Sequence, residues 1–519
     1  MSVSTTKDEN AAEKTGQARN LDWLTLLFWV AIVALFAIAI GMRLYQLGLP
    51  FDRDGYDEGV YWQSLRAMGA GHALYRDIFY SQPPFFLLST FPSYILFGGT
   101  LWSARLGIAL VSLVGLLGAF LLGKALSGRL GAIAALLLAV VDPLYLAQSQ
   151  TIQAEASSAA FSFLAIGLAL FWWKYPSGKR GLLLAVLTGV TVALSILSKL
   201  LGVALLIPTG MFMLTRLWQI SAPTKTMNSY IAIAAGILAF LLTTILVMLP
   251  FLGSFQAMVA SVITFHTDAA SMLSNNPQFS QSGNLLKVES ALTTLLALTA
   301  LYGTAAALLR QDWRVLPLLG WLLATAFLLW RQVPLFSHHF VSLTPPLIAL
   351  SVMGIADPSA YRRVFAAAQV SKVAMFLTWA AVLLILLTAV LDAGQDRIYY
   401  RNAAASSVDG TAQLEARVAA NLRAAIAPDQ QVVTDGQFVA ALANRDTPPA
   451  LVDTSMVRIE THYLTLGQLE SIASQPQVHA VLFFTGRFHL PDVAAFHAWV
   501  AQHFRLLHSY GGGRELWVR

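Results

Sequence analysis

The run LTLLFWVAIVALFAIAI, Leu24–Ile40, holds no charged residue and a single hydroxyl. With its apolar neighbours it is long enough to cross the roughly 30 Å hydrocarbon core of a bilayer as a helix. VAMFLTWAAVLLILLTAV, Val373–Val390, does the same far along the chain. Working outward from these two, the sequence shows about eleven such runs, near 23–45, 103–123, 130–147, 154–173, 181–198, 200–216, 229–249, 288–309, 314–331, 339–355 and 372–391. The single charge of Lys199 divides the long apolar stretch Leu182–Thr215, so a tight turn is expected there. The fold class is an α-helical polytopic membrane protein.

Composition agrees. The 519 residues are 57% hydrophobic and only 12% charged, against about 25% charged in soluble domains. This excludes a soluble enzyme, a disordered chain, a collagen-like protein and a disulfide scaffold. The net charge of +6 sits in short basic clusters between apolar runs, which is the pattern of membrane topology and not of a nucleic-acid surface. No nucleic-acid partner is expected. The chain has no cysteine, hence no disulfide and no thiolate-bound metal, and the redox compartment is left open.

Met1–Asp22 is polar and mixed in charge, unlike a cleavable signal, so 1–22 is expected as a cytoplasmic tail. Every second loop is then cytoplasmic and basic: Lys124 and Arg129; Lys174, Lys179 and Arg180; Arg216 and Lys225; Arg310 and Arg314; Arg362, Arg363 and Lys372. The expected location is a multi-pass cell (inner or plasma) membrane protein with a membrane domain over 23–392. The same topology puts the loops 47–102 and 250–287 outside, together with the tail 393–519. Strand-like runs (Gln431–Thr434, Ala450–Val452, Ala480–Phe484, Glu515–Val518) alternate there with helix-like Gly410–Ile426 and Val493–His503. Roughly 125 residues suffice for a small α/β domain. No repeat of fixed period is visible.

The first outer loop reads FDRDGYDEGVY, Phe51–Tyr61, four acids just past the first helix. Asp52 and Asp54 read as ordinary solvated charges. Glu58–Met68 is amphipathic, with Tyr61, Leu65 and Met68 near one face, and is expected to lie in the membrane interface. Gly71–Tyr75, Arg76-Asp77, Tyr80 and Gln82-Pro83-Pro84 follow, then the apolar but short Phe85–Phe97.

This order of features resembles the GT-C glycosyltransferases, in the branch of the dolichyl-phosphate-mannose protein mannosyltransferases and aminoarabinose transferases. The residues that carry the resemblance are the Asp57-Glu58 pair, the turn Gly71–Tyr75 and Pro83-Pro84. It spans roughly 20–392 and fades in the tail. It implies transfer of a sugar from a polyprenyl-phosphate donor to a hydroxyl of a lipid, glycan or protein acceptor on the outer face, with membrane lipids around the site. An acceptor hydroxyl becomes a good nucleophile when a positioned base takes its proton. Asp57 is expected to be that base, with inversion at the sugar, and Glu58 to orient Asp57 or the acceptor. The resemblance places a second acid in the next outer loop, and Glu155 matches it better than Asp142.

The donor phosphate needs cations. Lys199 and Arg331 stand at outer helix ends, Arg331 followed by His338-His339, and the resemblance places such residues near the lipid phosphate. Relatives carry Lys, often preceded by Glu, before the double proline; here Gln82 and Ser81 stand there. That shifts the phosphate contact onto Lys199, Arg331 and Arg76, leaving Gln82 as a neutral hydrogen-bonding partner. Tyr61, Tyr80, His338 and His339 are expected to contact the acceptor or the loops. No cofactor is required. For a divalent metal, His266 and Asp268 are the candidates, and an i, i+2 pair alone is weak as a site. A polar outer loop that closes over the substrate is the simpler reading of that segment. A secondary transporter or lipid flippase is the main rival, and a non-catalytic membrane scaffold another. The clustering of charges at outer helix ends, with helix interiors nearly uncharged, favours surface chemistry over translocation.

Overall fold

The computed structural model describes residues 23–51, 56–219, 223–274, 279–356, 358–361 and 367–519. The expected tail 1–22, the loop acids Asp52 and Asp54, and Arg362 and Arg363 lie outside the described residues. In chain order, α1 (Trp23–Leu44) is followed by the short α2 (Tyr56–Gly69) and α3 (Phe85–Leu96), then by α4 (Leu101–Val141), α5 (Ala154–Lys174) and α6 (Gly178–Ser198). Among the described residues, seven helical stretches are long and apolar enough to cross a membrane: α1, α4, α5, α6, Leu200–Trp218, Met227–Leu273 and Lys372–Ser406. This is a multi-span membrane protein.

The remaining expected runs are present in altered form. α4 joins the runs 103–123 and 130–147, broken at Ser127 and Gly128. Gly128 has φ +67°, and a Cβ on Gly123 would lie 2.1 Å from the Gly131 carbonyl oxygen, so the two limbs are pressed together where only glycine fits. The run 288–309 is bent by 74° between Gln281–Ala291 and Leu295–Leu309. The run 339–355 is a 3-10 turn, Ser337–Leu343, followed by the nine-residue helix Thr344–Val352. Pro345 and Pro346 open that helix, where a missing N–H has no intrahelical partner to lose. Much of the expected outer loop 250–287 is helical, in Phe255–Val259, Phe265–Leu273 and Gln281–Ala291. Arg43, in the last turn of α1, is fully buried and donates to Ser112 Oγ at 2.9 Å.

α2, expected in the membrane interface, packs against protein on two sides. Glu58 through Leu65 are all buried, because the helix lies between the membrane domain and the C-terminal domain. On one side Tyr61 meets Phe86 edge-on at 5.0 Å. On the other, Trp62 meets Phe438 at 5.6 Å, Gln63 Nε2 donates to the Arg445 carbonyl at 3.0 Å, and Arg66 pairs with Asp446 at 2.7 Å.

The C-terminal domain has a four-stranded sheet in the order β1-β2-β4-β3: β1 (Gln431–Thr434) and β2 (Val478–Phe483) are parallel, while β3 (Arg505–Gly511) and β4 (Arg514–Val518) form an antiparallel hairpin beside them. Separate apolar clusters fill its two faces, one around Val418, Leu422 and Leu516, the other around Val481, Phe488 and Phe496. The expected strand Ala450–Val452 is instead part of a 3-10 turn, Pro449–Leu451, since Pro448 and Pro449 cannot donate to a ladder. β3, which the sequence reading missed, is an edge strand with no buried residue.

The seam between α2 and this domain is tight at Gly59, where a Cβ would lie 2.6 Å from the Phe438 backbone nitrogen. Gly59→Ala is expected to loosen the docking by about 1–3 kcal/mol. Limited proteolysis near 406–410 checks this: faster cleavage is expected, and a rate equal to the wild type would mean the seam gives way without cost.

Candidate active site

A carboxylate in the first turn of a helix is favoured by the helix dipole, and α2 begins with Tyr56, Asp57 and Glu58. Successive helical residues point about 100° apart, so the two acids diverge. Asp57 faces a partly open cavity of about 880 Å³ between the membrane helices and the C-terminal domain. Its side chain keeps 39% exposure to that cavity. Glu58 turns inward and is fully buried, Oε2 at 2.6 Å from Arg105 Nη2 and Oε1 at 2.8 Å from Nε, with the Ile152 N–H also on Oε1 at 3.0 Å. Arg105 donates its remaining arm to the Leu47 and Leu49 carbonyls. Glu58 therefore ties α2 to α4 and touches neither Asp57 nor the cavity, which corrects the orienting role expected for it.

Four other expected residues gather near Asp57. Glu155 stands in the first turn of α5, and Lys199 at the break where α6 ends with extended backbone. Lys199 Nζ pairs with Glu155 Oε1. The 3-10 turn Ser337–Leu343 supplies both histidines. His338 Nε2 lies 3.8 Å from Asp57 Oδ2 and 3.6 Å from Glu155 Oε1, and His339 Nε2 lies 3.6 Å from Glu155 Oε1. Removal from bulk water pushes the Asp57 carboxyl above the ordinary carboxylate range. His338 pulls it back, the Glu155 charge pushes it further up, and Lys199 again opposes.

Arg331, Tyr61 and Gln82 also line the cavity. Arg76 does not: it is exposed, paired with Asp77 at 2.9 Å, and borders a separate cavity of about 380 Å³ with Met68, His72 and Phe251. Tyr80 is 1% exposed and packs behind Tyr61, ring centroids 6.2 Å apart. Asp142 caps the helix Pro143–Gln148 and accepts from Thr344 Oγ1 at 3.1 Å, away from the cavity. The sequence reading missed the far wall. Asp453, Ser455, Thr485 and Arg487 of the C-terminal domain line the same cavity. Arg487 stacks over the Tyr56 ring at 3.8 Å, and the Thr454 N–H donates to the Tyr56 hydroxyl at 2.5 Å. A usable signal was the segment Thr485-Gly486-Arg487 just after β2, since open sheets bind ligands beyond the carboxyl ends of their strands.

His266 and Asp268 are not a metal pair. On the helix Phe265–Leu273 they diverge: His266 Nε2 contacts the Ser81 carbonyl at 2.8 Å, and Asp268 accepts from the Tyr463 hydroxyl at 2.8 Å. The group with suitable spacing is Glu155, His338 and His339, whose ligand atoms lie within 4.8 Å of one another. It does not fit a divalent ion as it stands. Lys199 already neutralises Glu155. His339 Nδ1 accepts the Phe336 N–H at 3.2 Å, so the neutral ring carries its proton on Nε2, the atom that faces Glu155.

Residues 73–267 match the family model of dolichyl-phosphate-mannose-protein mannosyltransferase. The chain carries a GT-C glycosyltransferase domain of this family. The GT-C fold extends beyond the matched segment. ArnT from Cupriavidus metallidurans bound to undecaprenyl phosphate superposes with a TM-score of 0.63 at 15% identity, covering 96% of this chain and 98% of that one. The apo state of the same protein gives 0.59 at 14%, with 95% and 97% covered. Archaeal oligosaccharyltransferase AglB from Archaeoglobus fulgidus, in complex with an inhibitory peptide and a dolichol-phosphate, gives 0.50 at 16%, with 92% and 71% covered. No curated protein sequence matches the chain. The fold shared with ArnT thus covers the C-terminal domain as well.

Proposed function

We propose that this GT-C domain transfers a sugar from a polyprenyl-phosphate carrier to a hydroxyl acceptor on the extracytoplasmic side, with Asp57 as general base and inversion at the anomeric carbon. The observation that carries the reading is the placement of Asp57. Its carboxylate is open to the cavity, 3.8 Å from His338, with no hydrogen bond to the described residues that commits it to the fold. The acceptor O–H gives its proton to Asp57 as its oxygen bonds to the anomeric carbon. The carbon–oxygen bond to the carrier phosphate breaks on the opposite face, and the phosphate leaves as an anion. Arg331 supplies a guanidinium fork for that charge. Lys199 and the two histidines hold Glu155 and keep the surrounding charge fixed, a preorganised field of the kind that lowers barriers. The basic loops named above support a cytoplasmic N-terminus, with the cavity outside. ArnT bound to undecaprenyl phosphate and AglB with dolichol-phosphate support a lipid-linked donor.

The test is transfer of radiolabelled sugar from mannose-, glucose- and aminoarabinose-bearing polyprenyl phosphates by the purified protein. Transfer from one of them is expected. No transfer, combined with no binding of the carrier phosphate, would sink the reading and move the transporter forward. The pH dependence is a second check. A base works when deprotonated, and burial raises the Asp57 carboxyl. Activity is therefore expected to fall as pH drops through a value above about 4, the ordinary aspartate pKa. An acid limb of kcat/KM at or below that value would mean that Asp57 is not the titrating base.

A further inference from the structure

We propose that Arg487, carried by the C-terminal domain, binds the donor phosphate together with Arg331. This rests on the lipid-linked donor proposed above and adds to it a ligand from a domain whose role the sequence left open.

The charges around the cavity lead there. Lys199 is held by Glu155, His339 faces the same carboxylate, His338 sits between Glu155 and Asp57, and His266 contacts a carbonyl. Arg331 and Arg487 line the cavity with no ion pair or side-chain hydrogen bond among the described residues; each makes only an aromatic contact, with Trp330 and Tyr56 respectively. Asp57 and Asp453 line the same cavity as Arg487. A phosphate entering there meets two carboxylates, and a guanidinium beside them offsets that repulsion.

Arg487 is also held in place. Asp435, fully buried at the end of β1, accepts four backbone N–H groups of the loop after β2. These are Phe484 at 2.7 Å and Thr485 at 3.1 Å on Oδ1, and Arg487 at 2.8 Å and Phe488 at 3.4 Å on Oδ2. Gly486 takes φ +87° at the turn. The half-buried guanidinium then lies 3.8 Å above the Tyr56 ring centroid. Stacking fixes the plane of the fork and leaves its edge N–H groups for an oxyanion. A phosphodiester spreads one negative charge over two non-bridging oxygens, so two forks from opposite walls can each take one.

The test is the affinity of the full-length protein for undecaprenyl phosphate. Arg487→Gln is expected to weaken binding about tenfold or more, the usual scale for a charge-assisted hydrogen bond. Arg487→Lys, which keeps the charge but not the stacked fork, is expected to fall between. Arg417→Gln serves as the control: it removes an arginine that stands 5.8 Å from Tyr510 on the same domain, off the cavity. Wild-type affinity in a folded Arg487→Gln, or an equal loss in Arg417→Gln, would overturn the assignment. If the wild type itself binds no polyprenyl phosphate, the donor reading fails and this inference with it. If the wild type binds and Arg487→Gln binds equally, only the role of Arg487 fails.

Discussion

Asp57→Asn is expected to cut sugar transfer by about 10²–10⁴-fold, the contribution of a positioned general base, while the protein folds and binds donor as before. Asparagine keeps the size and hydrogen-bonding capacity of the side chain but cannot accept the acceptor's proton. Nothing among the described residues leans on the lost charge: Asp57 makes no hydrogen bond to them, and its ionisable contact is His338 at 3.8 Å. The loss is therefore expected in kcat, with KM for the donor and thermal unfolding near wild type. Equal transfer by the two proteins would keep the enzyme and remove Asp57 as its base.

Glu58→Gln, one residue away, is expected to do the reverse. Breaking a buried ion pair costs about 3–5 kcal/mol because the partner charge stays buried without compensation. Here the partner is Arg105, fully buried like Glu58 itself. A large fall in thermal stability and in the yield of folded protein is the expected result. Glu58→Leu with Arg105→Met, which removes both charges, is expected to recover most of it. If Glu58→Gln folds like the wild type yet transfers poorly, the carboxylate acts in the reaction after all.

These neighbours show what the sequence disclosed and what it withheld. An acid pair after a membrane helix pointed to chemistry, but division of labour within the pair depends on which face of α2 each residue occupies. The clue for Glu58 was Arg105, a charge inside an apolar run. The break at Lys199 was legible because one charge interrupted twice a span's length of apolar residues. So were the helix ends where Lys199, His338 and His339 meet Glu155. The far wall was not legible. Asp453 and Arg487 lie in short segments with no periodic pattern, and only the docking of the C-terminal domain on α2 brings them to the cavity. The burial of α2 escaped for the same reason: an amphipathic helix looks alike whether its apolar face meets lipid or protein.

That far wall also bears on timing. Ribosomes make a chain from its first residue onward, so Asp57, Glu155, Lys199 and the histidines reach the membrane before residues 453–487 exist. A growing chain with all its spans inserted still lacks the roof of its cavity. Asp57 then faces open solvent, where water would compete with the acceptor in the proposed transfer. The cavity is complete only when the C-terminal domain has folded onto α2, so the proposed transfer would begin only then.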